Sequence, residues 1–583
     1  KTIVEQNLDR LGGNSAGVRP SYDLLEAEPT IERAKALRGR ITDPVPPTTN
    51  PSAEAFEFVR ADPERDVGEV LEMYASIAPD APRLDLRGVM TVALESARDY
   101  RFAKEELLLA ALRLVAERHR WGPRFFNDVS AVVDADAEDG DYDTALQLVN
   151  EFRATQRLPY GGDVEARLLV RATEQLRERV SSEPTQSASF IVYADLPLLR
   201  GAGITAREDL ISAEREMVYA TRTFERFRRE FLFDIARDYF DLLRSAASIR
   251  NAERVLESRR KLLSETQAFF EKGRSARFEV SEARQRVLVS ENRLASQRDA
   301  FILQLERFRV RLGLDPGAPL SIDTAATFNL PVPELDMAVS ITRGLAYRLD
   351  LQNERDSVDD SYRGILIARN TLLPELDLSG SMEMITNPDL NRAGLQFDAD
   401  ETDFIASITL GLPIDREIER VQMRQSLIRL ERAVRDYEER KDEIALSIRA
   451  AIRDIELALF SLQLQNENIR ITERRLEGLE LRDDVPPRTI IDAQDDLIEA
   501  LDARDNALRE LRVAILRYLL ETGQFRVDVG GQFLPPPGLE PLSEAELEEL
   551  GWIQNPAEYD DAVEDPDPMF EETDQPDRPG STP

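Results

Sequence analysis

Cysteine is absent from the chain, and histidine occurs once, as His119. Disulfides, thiolate metal sites and thiol nucleophiles are therefore excluded. His119 sits at the end of a helical pattern with no evident partner, and no Gly-rich phosphate loop or metal-spaced cluster is visible. The expectation is a non-enzyme that uses no cofactor. Long apolar runs are also missing. The longest lies within Leu107–Ala116, where Arg113 interrupts it, well short of the roughly 20 apolar residues that a membrane-spanning helix needs. If the chain crosses a membrane, it does so with strands. Positive charge is scarce: 75 Lys and Arg stand against 111 Asp and Glu, a net charge of −36. That argues against nucleic acid or anionic lipid as the main partner, because both need basic surfaces. The chain starts at Lys1 without a charged n-region, an apolar h-region or a cleavage site, so any signal peptide is expected to have been removed already.

What the chain does have is length without breakers. From Ile204 to Phe270 there is neither Pro nor Gly. As a helix this run would reach roughly 100 Å at about 1.5 Å per residue. No ordinary globular core buries such a rod, so it must pack against similar rods. The chain then turns at Glu271–Val280 and returns to Gly313, a helical hairpin over 203–313. A second Pro-free run, Asp415–Leu481, turns at Arg482–Ile491 and returns to Gly523, a hairpin over 415–523.

The two hairpins belong to an internal repeat. Leu84, Leu94, Asp99 and Pro123 recur at one common offset as Leu335, Leu345, Asp350 and Pro374, so a unit of helix, proline and strand occurs twice. The strand Phe190–Leu199 leads through Pro197 into the first long run, and Phe404–Ile414 leads through Pro413 into the second. Half-length arms accompany each long one: Leu84–Arg120 with Arg277–Leu312, and Leu335–Leu372 with Arg488–Thr522. Two of these end to end match one full arm. The expected organisation is an N-terminal extension (1–83) with a Pro/Thr-rich linker at Ile41–Ala53, repeats over 84–334 and 335–525, and an acidic tail (526–583). Beyond Pro535 the only basic residue is Arg578, and apart from a short helical stretch at Ser543–Leu550 the tail reads as disordered.

The strands carry the second signal. In the segment 374–385, Leu376, Leu378, Gly380, Met382 and Met384 share one face, with Glu375, Asp377, Ser379, Ser381 and Glu383 on the other. In 403–414, Phe404, Ala406, Ile408, Leu410 and Leu412 oppose Asp403, Ser407 and Thr409. Apolar-out, polar-in alternation of this length is the signature of a membrane β-barrel, and equally of a sandwich strand with one buried face. Rods of this length favour the barrel. The first repeat also carries an insert at about 136–187, where Pro159–Gly162 marks a turn and Val164, Ala166, Leu168 and Val170 alternate with charged residues. The expectation there is a β-hairpin, with a helix as the alternative. Four strands, or six with the insert, are too few to close a pore, and an open edge in lipid leaves backbone groups unsatisfied. A barrel must then be shared between subunits.

Residues 84–525 resemble the TolC-like outer membrane efflux proteins of Gram-negative bacteria. The likeness is carried by LPLLRGAG (Leu196–Gly203), LGLDPGAPL (Leu312–Leu320), LPELDLSG (Leu373–Gly380) and VPPRTIIDAQ (Val485–Gln494), in this order. The resemblance implies a mainly α fold with membrane β: a homotrimer in which four strands per subunit form a twelve-stranded outer-membrane barrel, continued by a long α-helical periplasmic tunnel. It implies a passive export duct for efflux or secretion. The duct would meet an inner-membrane pump through a periplasmic adaptor and open at its helix tips. Leu376, Leu378, Met382, Met384, Phe404, Ile408 and Leu410 would face outer-membrane lipid. At the second tip Arg488 and Thr489 match the family's docking signature, and Asp492 and Asp495 fall where family members ring the aperture with aspartates. At the first tip Gly273 matches the turn glycine, and Glu279 replaces an acidic residue that pairs across the closed aperture. Asp483 stands where some members have a latch tyrosine, so the latch is expected to differ. An ion pair from Arg488 to Glu279 or Asp483 would hold the mouth shut, and a ring of carboxylates there would favour cations.

Two other readings fit the rods. One is a structural coiled-coil scaffold or periplasmic adaptor, although adaptors would carry a lipoyl-like or barrel domain in place of two alternating strand pairs. The other keeps the trimeric tunnel but gives it a surface-architectural role without a pump.

Overall fold

The computed structural model describes residues 83–528, apart from 139–140, 178–184, 319, 324–331, 334, 387–393, 483–484 and 486. The linker, the acidic tail with its expected helical stretch, and Asp483 lie outside the described residues.

Two long helices dominate the rest. The first, α3 (Ile204–Glu271), has 68 residues, and its counterpart α7 (Glu417–Glu480) has 64. Each is followed by a 35-residue returning arm, α4 (Arg277–Arg311) and α8 (Pro487–Glu521). Ahead of the strands, each repeat begins with an 11-residue helix, α1 (Leu86–Ser96) or α5 (Met337–Tyr347), and a 23-residue helix, α2 (Arg98–Arg120) or α6 (Leu349–Thr371). The corresponding helices match in order and, to within four residues, in length.

The sequence pattern predicts one continuous arm over Leu84–Arg120 and another over Leu335–Leu372, and here the structure corrects it. Both arms break at a single extended residue: Ala97 (φ −62°, ψ 134°) and Arg348 (φ −75°, ψ 119°). The break is imposed from outside the arm, which is why no Pro or Gly marks it. The end of each returning arm presses on it. At Gly313 (φ +79°) a Cβ would lie 2.1 Å from the Ser96 carbonyl oxygen, and Gly523 (φ +71°) backs onto Tyr347 in the same way. Both glycines close the same reverse turn. Gly313 donates to the Val310 carbonyl and Leu314 to that of Arg309, as Gly523 does to Leu520 and Gln524 to Leu519.

These breaks mark where most of the packing lies. The largest core joins Met90 and Tyr100 to Phe224, Phe231, Tyr239 and Phe308, at the level where α2 meets α4. A second core sets Ile444, Ile448, Ile452 and Ile455 of α7 against Leu511, Ile515 and Tyr518 of α8. On α7 the buried positions Ile444, Ile448, Ala451, Ile455 and Ala458 alternate steps of four and three, the coiled-coil period. Each such side chain, fully buried, contributes about 1.5–3 kcal/mol. Beside these cores a two-stranded parallel ladder pairs β1 (Arg83–Leu84) with β6 (Ser321–Ile322). Helix α3 is flanked by α2 and α4 and by α6 and α8, while α7 packs on α6 and α8.

The remaining strands form one six-stranded antiparallel sheet in the order β2-β3-β4-β5-β7-β8. They are β2 (Arg124–Glu138), β3 (Asp141–Arg157), β4 (Asp163–Arg177), β5 (Thr185–Pro197), β7 (Glu375–Thr386) and β8 (Phe397–Gly411). The insert supplies β3 and β4, so six strands per chain stand where the resemblance implies four. Edges are left open at β2 and β8, each 15 residues long. The register carries one apolar face across all six strands. Ala131 lies opposite Leu148, Phe152 opposite Leu168, Leu168 opposite Phe190, Phe190 opposite Met384, and Met382 opposite Phe404. The other face sets Asp128 beside Glu151, Arg153 beside Arg167, Tyr193 beside Ser381, and Ser381 beside Ile405.

Candidate gate at the helix tips

The first tip is a tight cap. After α3 the chain turns at Gly273, with Gly273 donating to Phe270 (2.9 Å) and Arg274 to Phe269 (2.8 Å). This arrangement satisfies the last carbonyls of the helix and needs the positive φ of Gly273 (+71°). Glu279 occupies the third position of α4. Its carboxylate accepts from the Ser275 hydroxyl (2.5 Å) and the Ala276 backbone N–H (3.0 Å). The Ser275 hydroxyl, and then the Ala276 amide, hold its pKa below the usual carboxylate range. Glu279 is thus committed to starting its own helix.

Arg488 and Thr489 open α8, with Arg488 exposed. Arg488 and Glu279 line one cleft of about 220 Å³ together with Leu262, Thr266, Glu282 and Ile491. Both line this cleft, but no salt bridge joins them among the described residues. Asp492 is exposed on the same turn of α8.

Asp495, one turn further on, lies elsewhere than a free ring of charge. It forms an ion pair with Arg259 of α3 and lies 3.7 Å from Arg286 of α4. Arg259 is nearly buried, and it also donates to the Ser290 hydroxyl (2.5 Å). Asp495 therefore ties the second hairpin to the first, and its charge is compensated within the chain.

The Asp495 pair is the lowest rung of a polar seam that sequence reading missed. Up α3 from Arg259, Asn251 donates to Asp502 (2.8 Å) and Asp505 (3.3 Å), and Asp241 meets Arg509 (2.6 Å). Above the break the seam continues onto α6, with Arg226 on Asp350 (2.9 Å), Arg222 on Asp356 (2.5 Å), Arg215 on Asp360, and Arg363 on Glu208 (3.2 Å). Helices α8 and α6 therefore run end to end along α3, both antiparallel to it. One signal for this was present: Glu208, Arg215, Arg222 and Arg229 recur every seventh residue, a charged stripe with coiled-coil spacing.

Where α8 and α6 meet, the seam draws into a knot. Asp350 takes two bonds from Arg348 (2.7 and 3.0 Å), one from Arg226, and two from Arg440 of α7 (2.6 and 3.0 Å). Arg348, 5% exposed, also reaches Glu521 at the end of α8 (2.6 Å). Burial pushes the Asp350 pKa up, but the Arg348 hydrogen bonds and the charges of Arg226, Arg348 and Arg440 outweigh it and hold the carboxyl well below its usual range. One carboxylate thus joins α3, α6 and α7.

On the sheet, Phe404 and Ile408 are 74% and 69% exposed, and Leu410 is exposed beside them. Leu378 is more than a third exposed, and Leu376, Met382 and Met384 are half-buried on the same face. No helix among the described residues is long and apolar enough to cross a membrane, and none of these residues forms a cluster able to hold a metal ion.

No protein-family model and no curated protein sequence matches this chain. Solved structures do. The CmeC outer membrane channel of Campylobacter jejuni matches with a TM-score of 0.56 at 14% identity, over 80% of this chain and 88% of its own. The outer membrane protein VceC of Vibrio cholerae matches at 0.53 and 15%, over 75% and 96%. The open-state MtrE outer membrane channel of Neisseria gonorrhoeae matches at 0.54 and 14%, over 75% and 88%.

The chain has the fold of the TolC-like outer membrane channels.

The Arg259–Asp495 pair and the cleft around Arg488 lie towards the turns that end α3 and α7. The knot at Asp350 sits far from the tips and fixes the upper halves of the same helices. The geometry thus divides α3 into an upper part braced through Asp350 and a tip tied to α8 by Asp495, while the tip of α7 meets α8 through Arg475 and Asp496 (2.7 Å).

Proposed function

We propose that three copies of this chain form an outer-membrane export duct that is passive and gated at its helix tips. The observation that carries this reading is the mainly apolar face that runs across all six strands, while among the described residues the outer edges of β2 and β8 have no partner strand. A soluble sheet would cover such a face with a second layer. In lipid the face is satisfied as it stands, but the edges are not, because unpaired backbone groups cost several kcal/mol each in hydrocarbon. Edges β2 and β8 are equally long, and the even strand count makes β2 of one copy antiparallel to β8 of the next. The helices have matching needs. Leu457, Phe460 and Leu464 of α7 are exposed, as are Phe102, Leu109 and Leu112 of α2, which gives each copy two apolar flanks for its neighbours.

Within this reading the strand residues Leu376, Leu378, Met382, Met384, Phe404, Ile408 and Leu410 face outer-membrane lipid. The tips around Gly273, Arg488 and Thr489 meet a periplasmic adaptor and, through it, an inner-membrane pump. Asp492 lines the aperture, and the Arg259–Asp495 contact opposes its opening. A coiled-coil scaffold would also use the rods, but it gives the apolar sheet face nothing to do. The test is extraction and mass: the account expects the protein to need detergent, to migrate faster unheated than boiled, and to have the mass of three chains. A detergent-free monomer would overturn it.

A further inference from the structure

We infer that the barrel wall of this duct has eighteen strands, half as many again as the twelve implied by the sequence resemblance, and encloses a passage of macromolecular width. The inference rests on the trimeric channel proposed above and concerns the place of the inserted hairpin.

An insert between two strands of a membrane barrel can stand off the wall as a surface projection, leaving β2 paired with β5. Here it does not. Strand β2 pairs with β3 over its full length, from Arg124 opposite Thr155 to Glu138 opposite Asp141. In turn β4 pairs with β5 from Asp163 opposite Asp195 to Thr173 opposite Thr185. The hairpin therefore separates β2 from β5 completely. Its faces keep phase with the rest of the wall. Leu148, Phe152, Ala166 and Leu168 continue the apolar face, while Glu151, Arg153, Glu165 and Arg167 continue the polar one. Charges on the polar face are balanced inside the insert, with Arg167 bonded to Glu165 (2.6 Å) and Glu151 (3.2 Å).

The turn of the hairpin is anchored as well. It lies at the helix-bearing end of the sheet, where Gly203, at the start of α3, donates to the Tyr160 carbonyl (2.9 Å). Gly162 (φ +81°) sits so close to β5 that a Cβ there would meet the Asp195 carbonyl oxygen at 1.8 Å. A freely projecting loop has no need of that fit.

With strands about 4.8 Å apart and tilted about 40°, twelve close a ring roughly 24 Å across, backbone to backbone, and eighteen close one roughly 36 Å across. Side chains lining the wall leave roughly 25 Å in the wider ring. Two α-helices side by side, each about 10–12 Å thick, pass through that width, whereas the narrower ring takes one. The cargo class that fits is a hydrated macromolecule, such as a partly folded polypeptide or a polysaccharide strand, and selection by size rests on the helix tips alone.

The absence of cysteine makes a clean test possible. Three double variants are oxidised in the detergent-extracted trimer: Ser130→Cys with Val149→Cys across β2–β3, Arg167→Cys with Ile191→Cys across β4–β5, and Glu151→Cys with Leu169→Cys within the hairpin. The inference expects all three to cross-link. Cross-linking of the hairpin pair alone would place the hairpin outside the wall and overturn it. A second measurement counts strands directly: eighteen in an electron-microscopy map of the trimer supports the inference, and twelve refutes it. Failure of the channel reading shows differently, as the absence of any trimer to cross-link or image.

Discussion

Removing the carboxylate of Asp350 isolates the brace from the rest of the fold. In Asp350→Ala, three guanidiniums lose a shared partner, and they do not suffer equally. Arg226 and Arg440 have side chains 27% and 33% exposed, so water can reach them, whereas Arg348 at 5% cannot rehydrate and keeps Glu521 and a long bond to the Ser447 hydroxyl (3.5 Å). Breaking a buried ion pair from one side costs about 3–5 kcal/mol. With two of three partners able to recover solvent, the expected loss lies near the lower end, at about 3 kcal/mol. The assay is urea unfolding of the purified protein, followed by loss of helical circular dichroism. Asp99, at the equivalent position of the first repeat, is exposed and provides the control: Asp99→Ala should cost at most about 1 kcal/mol. The sign of the pH dependence follows from the depressed carboxyl. Its contribution is complete above the ordinary Asp value of 3.8 and is lost as pH falls towards its lower folded-state value. The difference between wild type and Asp350→Ala should therefore be constant at neutral pH and shrink in acid. A loss of less than about 1 kcal/mol, or an equal loss from Asp99→Ala, would refute the brace.

Three further outcomes follow from the geometry. Gly313→Ala combines a positive φ with a Cβ placed 2.1 Å from a carbonyl oxygen, whereas at Gly523 the nearest atom is a side-chain carbon at 2.9 Å; the left-handed backbone alone costs about 1–2 kcal/mol, so Gly313→Ala should lower the unfolding midpoint more than Gly523→Ala does. Ile408→Arg, on the face proposed to meet lipid, should cost about 2–4 kcal/mol of folded trimer, while Ser407→Arg on the opposite face is tolerated; equal effects in a heat-modifiability assay would contradict the assignment of faces. Asp495→Ala frees Arg259 at the tip and should raise closed-state conductance, whereas Asp492→Ala should chiefly reduce cation preference; unchanged currents in both would remove the tips from the gate.

Much of the fold was legible because the duplication repeats whole helices in the same order and because each long helix lacks proline. The strand pair read at 374–385 and 403–414 was legible for a similar reason, since its period-two alternation is nearly unbroken, although β8 starts earlier, at Phe397, and ends at Gly411. The breaks at Ala97 and Arg348 were not, because the cause lies in Gly313 and Gly523, far along the chain. The strands of the insert were only half legible: β4 alternates cleanly, but in β3 Asn150 falls on the apolar face and Val149 on the polar one, which blurs the period. At the tips the sequence brought Arg488 and Glu279 to one cleft without revealing that Glu279 caps its own helix. The pairing of Asp495 with Arg259, and of Asp350 with Arg226, depends on contacts between the two repeats, and that of Asp350 with Arg440 joins residues 90 apart within the second; no local pattern encodes either.

Planar-bilayer recording in a salt gradient tests the central claim most directly. Protein purified in detergent should insert as long-lived, small, cation-selective channels, with the conductance set by the closed tips. A folded protein that never conducts, or that remains soluble without detergent, would contradict the duct and leave the rods as a scaffold.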